Sequence, residues 1–146
     1  MKTSNGESEA RVLKAVKAND TKEVERLLAG ETIDLNAPLG PARWPALHQA
    51  VAYGWQPMVE TLLQLGADPN VRIEHNTTAG GMVPLDFAKD ELMTTLLLQA
   101  GAMVDTTDKR GMTPIDWARF RRLSRVAEAL ERFGASRVGT PRECWS

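Results

Sequence analysis

The sequence predicts an all-α solenoid, in which helix-turn-helix units stack side by side and are joined by finger loops that contain β-turns. Two observations predict this fold class. A proline opens a predicted helix in three places, as at Thr113-Pro114, where the hydroxyl can cap free N–H groups and proline fits the first helical position. A glycine closes a leucine-rich segment at Gly66, Gly101 and Gly134, which are 35 and 33 residues apart, a period typical of stacked repeats.

The first unit is the least regular of the four. It has no Thr-Pro start, but residues 12–18 and 24–28 have the apolar spacing of two helices. Asn19 lies between them and can adopt the left-handed conformation of a tight turn. The charged sequence of this unit suits a terminal repeat, because the outer face of an end repeat meets water.

The third unit is shorter than the fourth. It has 17 residues from its helix-opening proline, Pro84, to its closing glycine, whereas the fourth unit has 20. We therefore expect its first helix to lack about one turn near Lys89. The loop before this unit, residues 73–80, is longer than the corresponding loop of the fourth unit, and insertions in repeat arrays often lie on the binding face.

These units resemble ankyrin repeats. The likeness rests on the Asp-x-x-Gly-x-Thr-Pro pattern of residues 108–114 and on Ala-Leu-His-Gln-Ala at residues 46–50, followed by Gly54 and a leucine pair. The resemblance covers roughly residues 9–136 and implies four repeats, the first degenerate and the third shortened. We expect one domain over residues 1–146, with repeats at approximately 9–36, 42–70, 80–105 and 108–136 and flexible tails at 1–8 and 137–146.

The resemblance implies that the protein binds partner proteins through its finger loops and the concave face of its first helices. Most residues at the variable positions of these elements are of types that are enriched at interface hot spots. The predicted partner-binding residues are Trp44, Tyr53, Met82, Lys109, Arg110, Met112, Phe120 and Arg121. Trp44 and Tyr53 are expected to be exposed, whereas Trp55 and Trp117 are expected to fill the space between repeats.

Few residues indicate catalysis. His48 is expected to hydrogen-bond between neighbouring loops, and His75 is expected to be a solvated residue of the long loop. Cys144 lies near the C-terminus with no histidine close in sequence. The sequence has neither the Cys/His spacing of a zinc site nor a phosphate-binding loop. We therefore predict no enzyme activity, no cofactor and no metal, and an enzyme that uses the 73–80 loop is the least favoured alternative.

The charge of the chain is distributed unevenly. Residues 1–107 carry a net charge of −5 and residues 108–146 a net charge of +4, although the total is only −1. Four arginines of the last repeat could face an acidic protein surface or nucleic acid, or could simply be solvated: Arg119, Arg121, Arg122 and Arg125. Only the last repeat is basic and only Phe120 is interleaved, so nucleic-acid binding is the less favoured alternative.

Composition also bounds the location of the protein. A single cysteine cannot form an internal disulfide, the N-terminus lacks the apolar core of a signal peptide, and no apolar run approaches the ~20 residues that span a bilayer. We expect a cytoplasmic protein that does not associate with membranes and is monomeric when free. Its expected function is to bind one or more proteins as an inhibitor, an immunity-type neutraliser of a toxin, or an adaptor.

Overall fold

The computed structural model describes residues 3–30, 32–74 and 79–134, with side chains described from residue 6 onward. These residues form helices and no β-strand, apart from one isolated bridge between Leu39 and Trp44. The predicted all-α class is confirmed. In chain order the helices are α1 (Thr3–Lys17), α2 (Thr21–Gly30), α3 (Ala46–Tyr53), α4 (Gln56–Gln64), a 3₁₀ helix (Pro84–Phe87), α5 (Glu91–Gln99), α6 (Pro114–Phe120) and α7 (Ser124–Arg132).

The helices form two layers with the core between them. The first helix of each repeat contacts the next one along the chain, in the order α1, α3, the 3₁₀ helix and α6. In the second layer α2 contacts α4, and α5 contacts α7. The core is built from fully buried aliphatic side chains of every repeat, among them Val16, Leu47, Leu62, Leu97 and Ile115. Each repeat thus buries its apolar face against its neighbours, as in other solenoids.

The N-terminal residues belong to the first helix. Helix α1 begins at Thr3, earlier than the expected start of the first repeat at residue 9, and Ser8 is buried. Residues 3–8 are therefore part of the first helix and not of a tail. The expected C-terminal tail, residues 137–146 with Cys144, lies outside the described residues. Within the described part, no helix is both long enough and apolar enough to cross a membrane.

The tight turns adopt the predicted left-handed conformation. Asn19 (φ 53°), Gly54 (φ 76°) and Arg122 (φ 61°) lie between the two helices of the first, second and fourth repeats. The prediction for Asn19 is therefore confirmed, and the same position in the fourth repeat holds an arginine. The glycines that close the second helices also have positive φ angles: Gly66 (99°), Gly101 (104°) and Gly134 (95°).

The start of α6 has the predicted cap. The Thr113 hydroxyl accepts a hydrogen bond from Asp116 N at 3.4 Å, and the Asp116 carboxylate accepts one from Thr113 N at 2.9 Å. Each residue thus satisfies a backbone N–H that the helix leaves free. The 3₁₀ helix has only half of this arrangement, because Val83 stands in place of the threonine and has no polar side chain.

The third repeat has the predicted deletion. Its first helix is reduced to the four-residue 3₁₀ helix, compared with eight residues in α3 and seven in α6. Two long basic side chains bridge the resulting gap. Lys89 Nζ donates to the Ala52 carbonyl at the end of α3 (3.1 Å), and the Arg121 guanidinium donates to the Asp86 carbonyl. The shortened repeat is therefore held by contacts from both neighbours.

The loop expected at residues 73–80 begins and ends in the core. Ile73 and Ala79 are buried, and Gly81 N donates to the Ile73 carbonyl at 2.7 Å. Gly81 lies so close to the next finger that an added Cβ would be 2.9 Å from Lys109 N, so this contact requires glycine. Residues 75–78 of the loop, including His75, lie outside the described residues.

His48 links the second repeat to the third, as predicted. Its Nε2 donates to the Met82 carbonyl at 2.9 Å, and Nδ1 has no hydrogen-bond partner in the part of the chain that the structure describes. The ring is fully buried, and burial lowers the pKa of His48 to about 4, although the bond to the Met82 carbonyl opposes the shift. His48 is therefore neutral near pH 7 and serves as a structural hydrogen-bond donor.

Candidate functional site

Two aromatic side chains at the ends of first-layer helices are more than half exposed. Tyr53 closes α3 and is 54% exposed, and Phe120 closes α6 and is 57% exposed. Both lie on predicted partner-binding positions. Aromatic side chains are enriched at protein–protein interfaces, so both residues are candidates for a binding surface.

Tyr53 is held in place by a second aromatic ring. Its ring stacks on Trp55 with the centroids 4.6 Å apart and the planes at 23°. Trp55 was expected to fill the space between repeats, and it is half-buried. The two rings thus form an aromatic pair at the α3–α4 turn in which Tyr53 is the exposed member, and the stacking limits the rotation of Tyr53.

The finger and first helix of the fourth repeat meet at Trp117. The indole is buried as predicted, and its Nε1 donates to Asp108 Oδ2 at 2.8 Å. The other carboxylate oxygen of Asp108 accepts from the backbone N–H groups of Arg110 (2.8 Å) and Met112 (3.0 Å). Phe120 meets the Trp117 ring edge-on with the centroids 5.8 Å apart. One aspartate therefore fixes both the finger turn and the indole that faces it.

Two guanidinium groups flank the same indole. Arg110 Cζ lies 6.0 Å from the centroid of the Trp117 ring and Arg121 Cζ lies 5.0 Å from it, which is cation–π range. Burial lowers the pKa of the half-buried Arg121, but an arginine stays charged at any physiological pH. Lys109 is exposed at the finger tip. We call the group formed by Arg110, Met112, Trp117, Phe120 and Arg121 the fourth-repeat corner.

Two predicted partner-binding residues are buried. Met82 is 4% exposed and Met112 is 3% exposed, so the expectation that they extend toward a partner is wrong. Each methionine lies two residues before the first residue of a helix, where the finger backbone is paired and the side chain turns inward. The Met82 carbonyl accepts from His48 Nε2 and from Ile73 N, and Met112 pairs with Asp108 through both its N–H and its carbonyl.

Trp44 is only half-buried, and its ring covers part of the shortened third repeat. The centroids of Trp44 and Phe87 lie 4.8 Å apart, and the Trp44 carbonyl accepts from Gln49 Nε2 at 3.0 Å and from Leu39 N at 3.1 Å. Its indole Nε1 is buried with no hydrogen-bond partner among the described residues. The expected exposure of Trp44 is therefore met only in part, and its position on the finger has a structural use.

The four arginines noted in the sequence do not form one basic stripe. Arg119 pairs with Glu131, and the Arg121 guanidinium donates a hydrogen bond to the Asp86 carbonyl. Arg122 and Arg125 are exposed, but the grooves beside them are also lined by Asp90 and Glu91. Acidic side chains thus interrupt the positive surface outside the fourth-repeat corner.

A buried carboxyl group in the third repeat was not singled out from the sequence. Asp86 is 2% exposed, Oδ2 accepts from Val83 N at 2.9 Å, and Oδ1 has no partner among the described residues. Burial raises the pKa of Asp86 to about 8, against the opposing effects of the Val83 N–H, Arg121 and Arg72. A helix-start aspartate is ordinary in sequence, so no local signal marked this one.

The described residues form open surface grooves and no cluster of metal-ligand side chains. In the ranges that the structure describes, no group of three or more His, Cys, Asp or Glu side chains is arranged to bind a metal ion. One open groove in these ranges, of about 560 Å³, is lined by Asp90, Glu91, Leu92, Thr95 and Arg125.

The chain is similar to a known repeat family and to parts of larger proteins. The family description "Ankyrin repeat" matches residues 43–74, which contain α3 and α4. Palmitoyltransferase AKR1 of Lachancea kluyveri is 30% identical over 81% of this chain, and the match covers 16% of that protein. Regulatory protein NPR5 of Arabidopsis thaliana is 40% identical over 51% of this chain and 14% of its own length. Glycerophosphocholine phosphodiesterase gde1 of Schizosaccharomyces pombe is 34% identical over 58% of this chain and 7% of its own length. The chain thus spans less than a fifth of each relative.

Proposed function

We propose that this chain, which is an ankyrin-repeat protein, binds one or more partner proteins through its finger loops and first helices, and so acts as an inhibitor, an immunity-type neutraliser or an adaptor. Ankyrin repeats are protein-interaction modules in general. The observation that carries the proposal is the pair of exposed aromatic residues, Tyr53 and Phe120, at the ends of α3 and α6.

The packing of these aromatic side chains supports a binding role. Tyr53 rests on Trp55 and Phe120 rests on Trp117, so each ring is exposed on one side and restrained on the other. A restrained ring loses little conformational entropy when a partner covers it, and it contributes a large apolar contact area. Arg110 lies beside Phe120, because both line one small pocket together with Met112 and Trp117.

The enzyme activities named for two relatives are not assigned to this chain. The palmitoyltransferase and the phosphodiesterase share only 16% and 7% of their lengths with it, so we do not assign their activities here. Nucleic-acid binding through the arginine cluster is the second candidate. Acidic partners of Arg119 and Arg132, namely Glu131 and Glu91, oppose it, because phosphate binding gains most from a continuous positive surface.

We predict that the double variant Tyr53→Ala/Phe120→Ala loses its partner while keeping its fold. Truncating each aromatic hot spot costs ~1–2 kcal/mol of binding free energy, so the loss of both should lower affinity by ~30-fold or more. The measurement is capture of proteins from an extract of the native cell by the tagged parent and variant, followed by mass spectrometry of the eluates. Thermal unfolding should show that both proteins fold equally well, because both rings are exposed.

The matched control is the double variant Leu65→Ala/Leu92→Ala, which removes two exposed leucines from the second-helix layer. This control should capture the same proteins as the parent. The proposal fails when the aromatic variant still captures them, or when the leucine variant loses them to the same degree.

A further inference from the structure

The carboxyl group of Asp86 lies in the core with only one of its two oxygens satisfied. Oδ2 accepts from Val83 N at 2.9 Å, whereas Oδ1 is buried and has no hydrogen-bond partner among the described residues. Ionisation of Asp86 would therefore leave a negative oxygen in the core without a donor. Proteins pair such buried charges with a cation or a hydrogen-bond donor, because an unpaired one is costly.

One cation already holds the backbone of Asp86. The half-buried Arg121 guanidinium donates to the Asp86 carbonyl, so it lies beside the residue that carries the unsatisfied oxygen. Burial raises the pKa of Asp86 to about 8 and lowers that of Arg121, and each group opposes the shift of the other. A bond from a guanidinium to a carboxylate is stronger than one to a neutral carbonyl, above all away from water. An ionised Asp86 should therefore draw Arg121 from the carbonyl to the carboxylate.

Arg121 also connects Asp86 to the fourth-repeat corner. Its Cζ lies 5.0 Å from the centroid of the Trp117 ring, and Phe120 meets that ring edge-on with the centroids 5.8 Å apart. The indole is anchored independently, since its Nε1 donates to Asp108 Oδ2 at 2.8 Å. A shift of Arg121 thus changes the charge that lies over a fixed aromatic ring.

The helices around Asp86 offer it no other cation. The 3₁₀ helix is packed against helices α3, α5 and α6. Before Arg121, the titratable side chains of these three helices are His48, Tyr53, Glu91, Asp116 and Arg119. His48 is neutral near pH 7 because burial lowers its pKa to about 4, and Arg119 is paired with Glu131.

The segments beside these helices add further charges, and their cations are already engaged. Asp108 is negative and opposes the ionisation of Asp86, as Asp90 does at the start of α5. Lys89 Nζ donates to the Ala52 carbonyl at 3.1 Å. Arg72 is exposed and donates to the Thr107 carbonyl at 2.7 Å, so water screens its charge. Arg121 is therefore the cation best placed to pair with the Asp86 carboxylate.

We propose that loss of the Asp86 proton moves the Arg121 guanidinium from the Asp86 carbonyl to the Asp86 carboxylate, and so withdraws a cation from the Trp117 ring. The proton passes to solvent and no other bond is made or broken. The fourth-repeat corner thus has two forms, one with Arg121 over the indole at neutral pH and one without it in alkali. This device goes beyond the proposed function, because it operates in the free chain.

The test is fluorine NMR of the full chain labelled with 5-fluorotryptophan and titrated from about pH 6 to about pH 9. The Trp117 signal is identified by its absence from Trp117→Phe. In the parent it should shift as one proton is lost, with a midpoint near pH 8, and in Asp86→Asn it should not shift. Asp116→Asn is the matched control, since it makes the same exchange at the start of α6 and should keep the transition. The Trp55 signal, from a ring stacked on Tyr53, should stay constant.

Movement of Arg121 itself is followed in the parent labelled with nitrogen-15 arginine. Its Nε–H signal, identified by its absence from Arg121→Lys, should shift with the same midpoint as Trp117, and circular dichroism should stay constant. A stationary Trp117 signal in the parent, or a shift that persists in Asp86→Asn, would overturn the proposal. A stationary Arg121 signal would show that Asp86 ionises without re-pairing, and loss of helix at the same midpoint would show that the transition is unfolding; either result would also refute it.

Discussion

Leu62→Ala is expected to lower the free energy of unfolding by ~2–5 kcal/mol, as truncation of a fully buried leucine does in other proteins. Leu62 has no exposed surface and lies in the core between the two helix layers. Removing its isopropyl group leaves a cavity that neighbouring repeats cannot close, because each repeat is held on both sides. Urea unfolding followed by circular dichroism measures the change.

The control for this substitution is Leu92→Ala. Leu92 is 54% exposed on α5, so the same truncation should change the free energy of unfolding by no more than about 0.5 kcal/mol. A silent Leu62→Ala, or a Leu92→Ala that is equally destabilising, would mean that the helices face the core in a different register from the one described here.

Asp86→Asn is expected to stabilise the protein above neutral pH. Burial raises the pKa of Asp86 from 3.8 to about 8, so the folded state keeps its proton in a pH range where the unfolded state has lost it. The unfolded state binds fewer protons in this window, and the folded state therefore loses stability as pH rises from about 4 to about 8. The neutral amide removes this loss, and we expect a gain of roughly 2–4 kcal/mol at pH 8 that vanishes near pH 4.

The pH-dependent effect of His48 on stability must be separated from that of Asp86 in this experiment. The pKa of His48 falls from 6.5 to about 4 on folding, so its contribution to stability is lost as pH falls through that range, where Asp86 acts in the opposite sense. The difference between the parent and Asp86→Asn cancels the His48 effect at every pH. Urea unfolding of both proteins across this pH range should show a difference that grows with pH.

Asp116→Asn is the matched exchange in the fourth repeat. Asp116 also accepts from the backbone N–H at a helix start, but there Thr113 returns the hydrogen bond. We expect no stabilisation from this variant. A parent–Asp86→Asn difference that is flat across the pH range would contradict the protonated state of Asp86 in the folded protein.

Local sequence signals were enough to predict the helical repeats. The proline after Thr113, the position of Asn19 and the closing glycines are chemical requirements of a helix start or a left-handed turn, and all of them appear where expected. The missing turn of the third repeat followed from counting residues between Pro84 and Gly101, and it is present as a 3₁₀ helix. These features depend on neighbouring residues, which the sequence shows directly.

The predicted partner surface was less reliable, because it depends on the direction of side chains. Family position marked Met82 and Met112 as variable, but backbone pairing in the fingers turns both inward. Trp44 and Arg121 contact Phe87 and the Asp86 carbonyl, which lie in the shortened helix more than thirty residues away. Only the packed structure shows that side chains from both neighbouring repeats contact the shortened helix.

Site-specific photo-crosslinking in the native cell tests the central claim most directly. A benzoylphenylalanine placed at position 120, where the side chain is 57% exposed at the end of α6, should form a discrete covalent adduct with another protein. The same photoreactive residue at position 92, which is 54% exposed on α5 in the second-helix layer, should form none. An adduct at position 92 without one at position 120 would contradict the claim that partners bind at the finger loops and first helices.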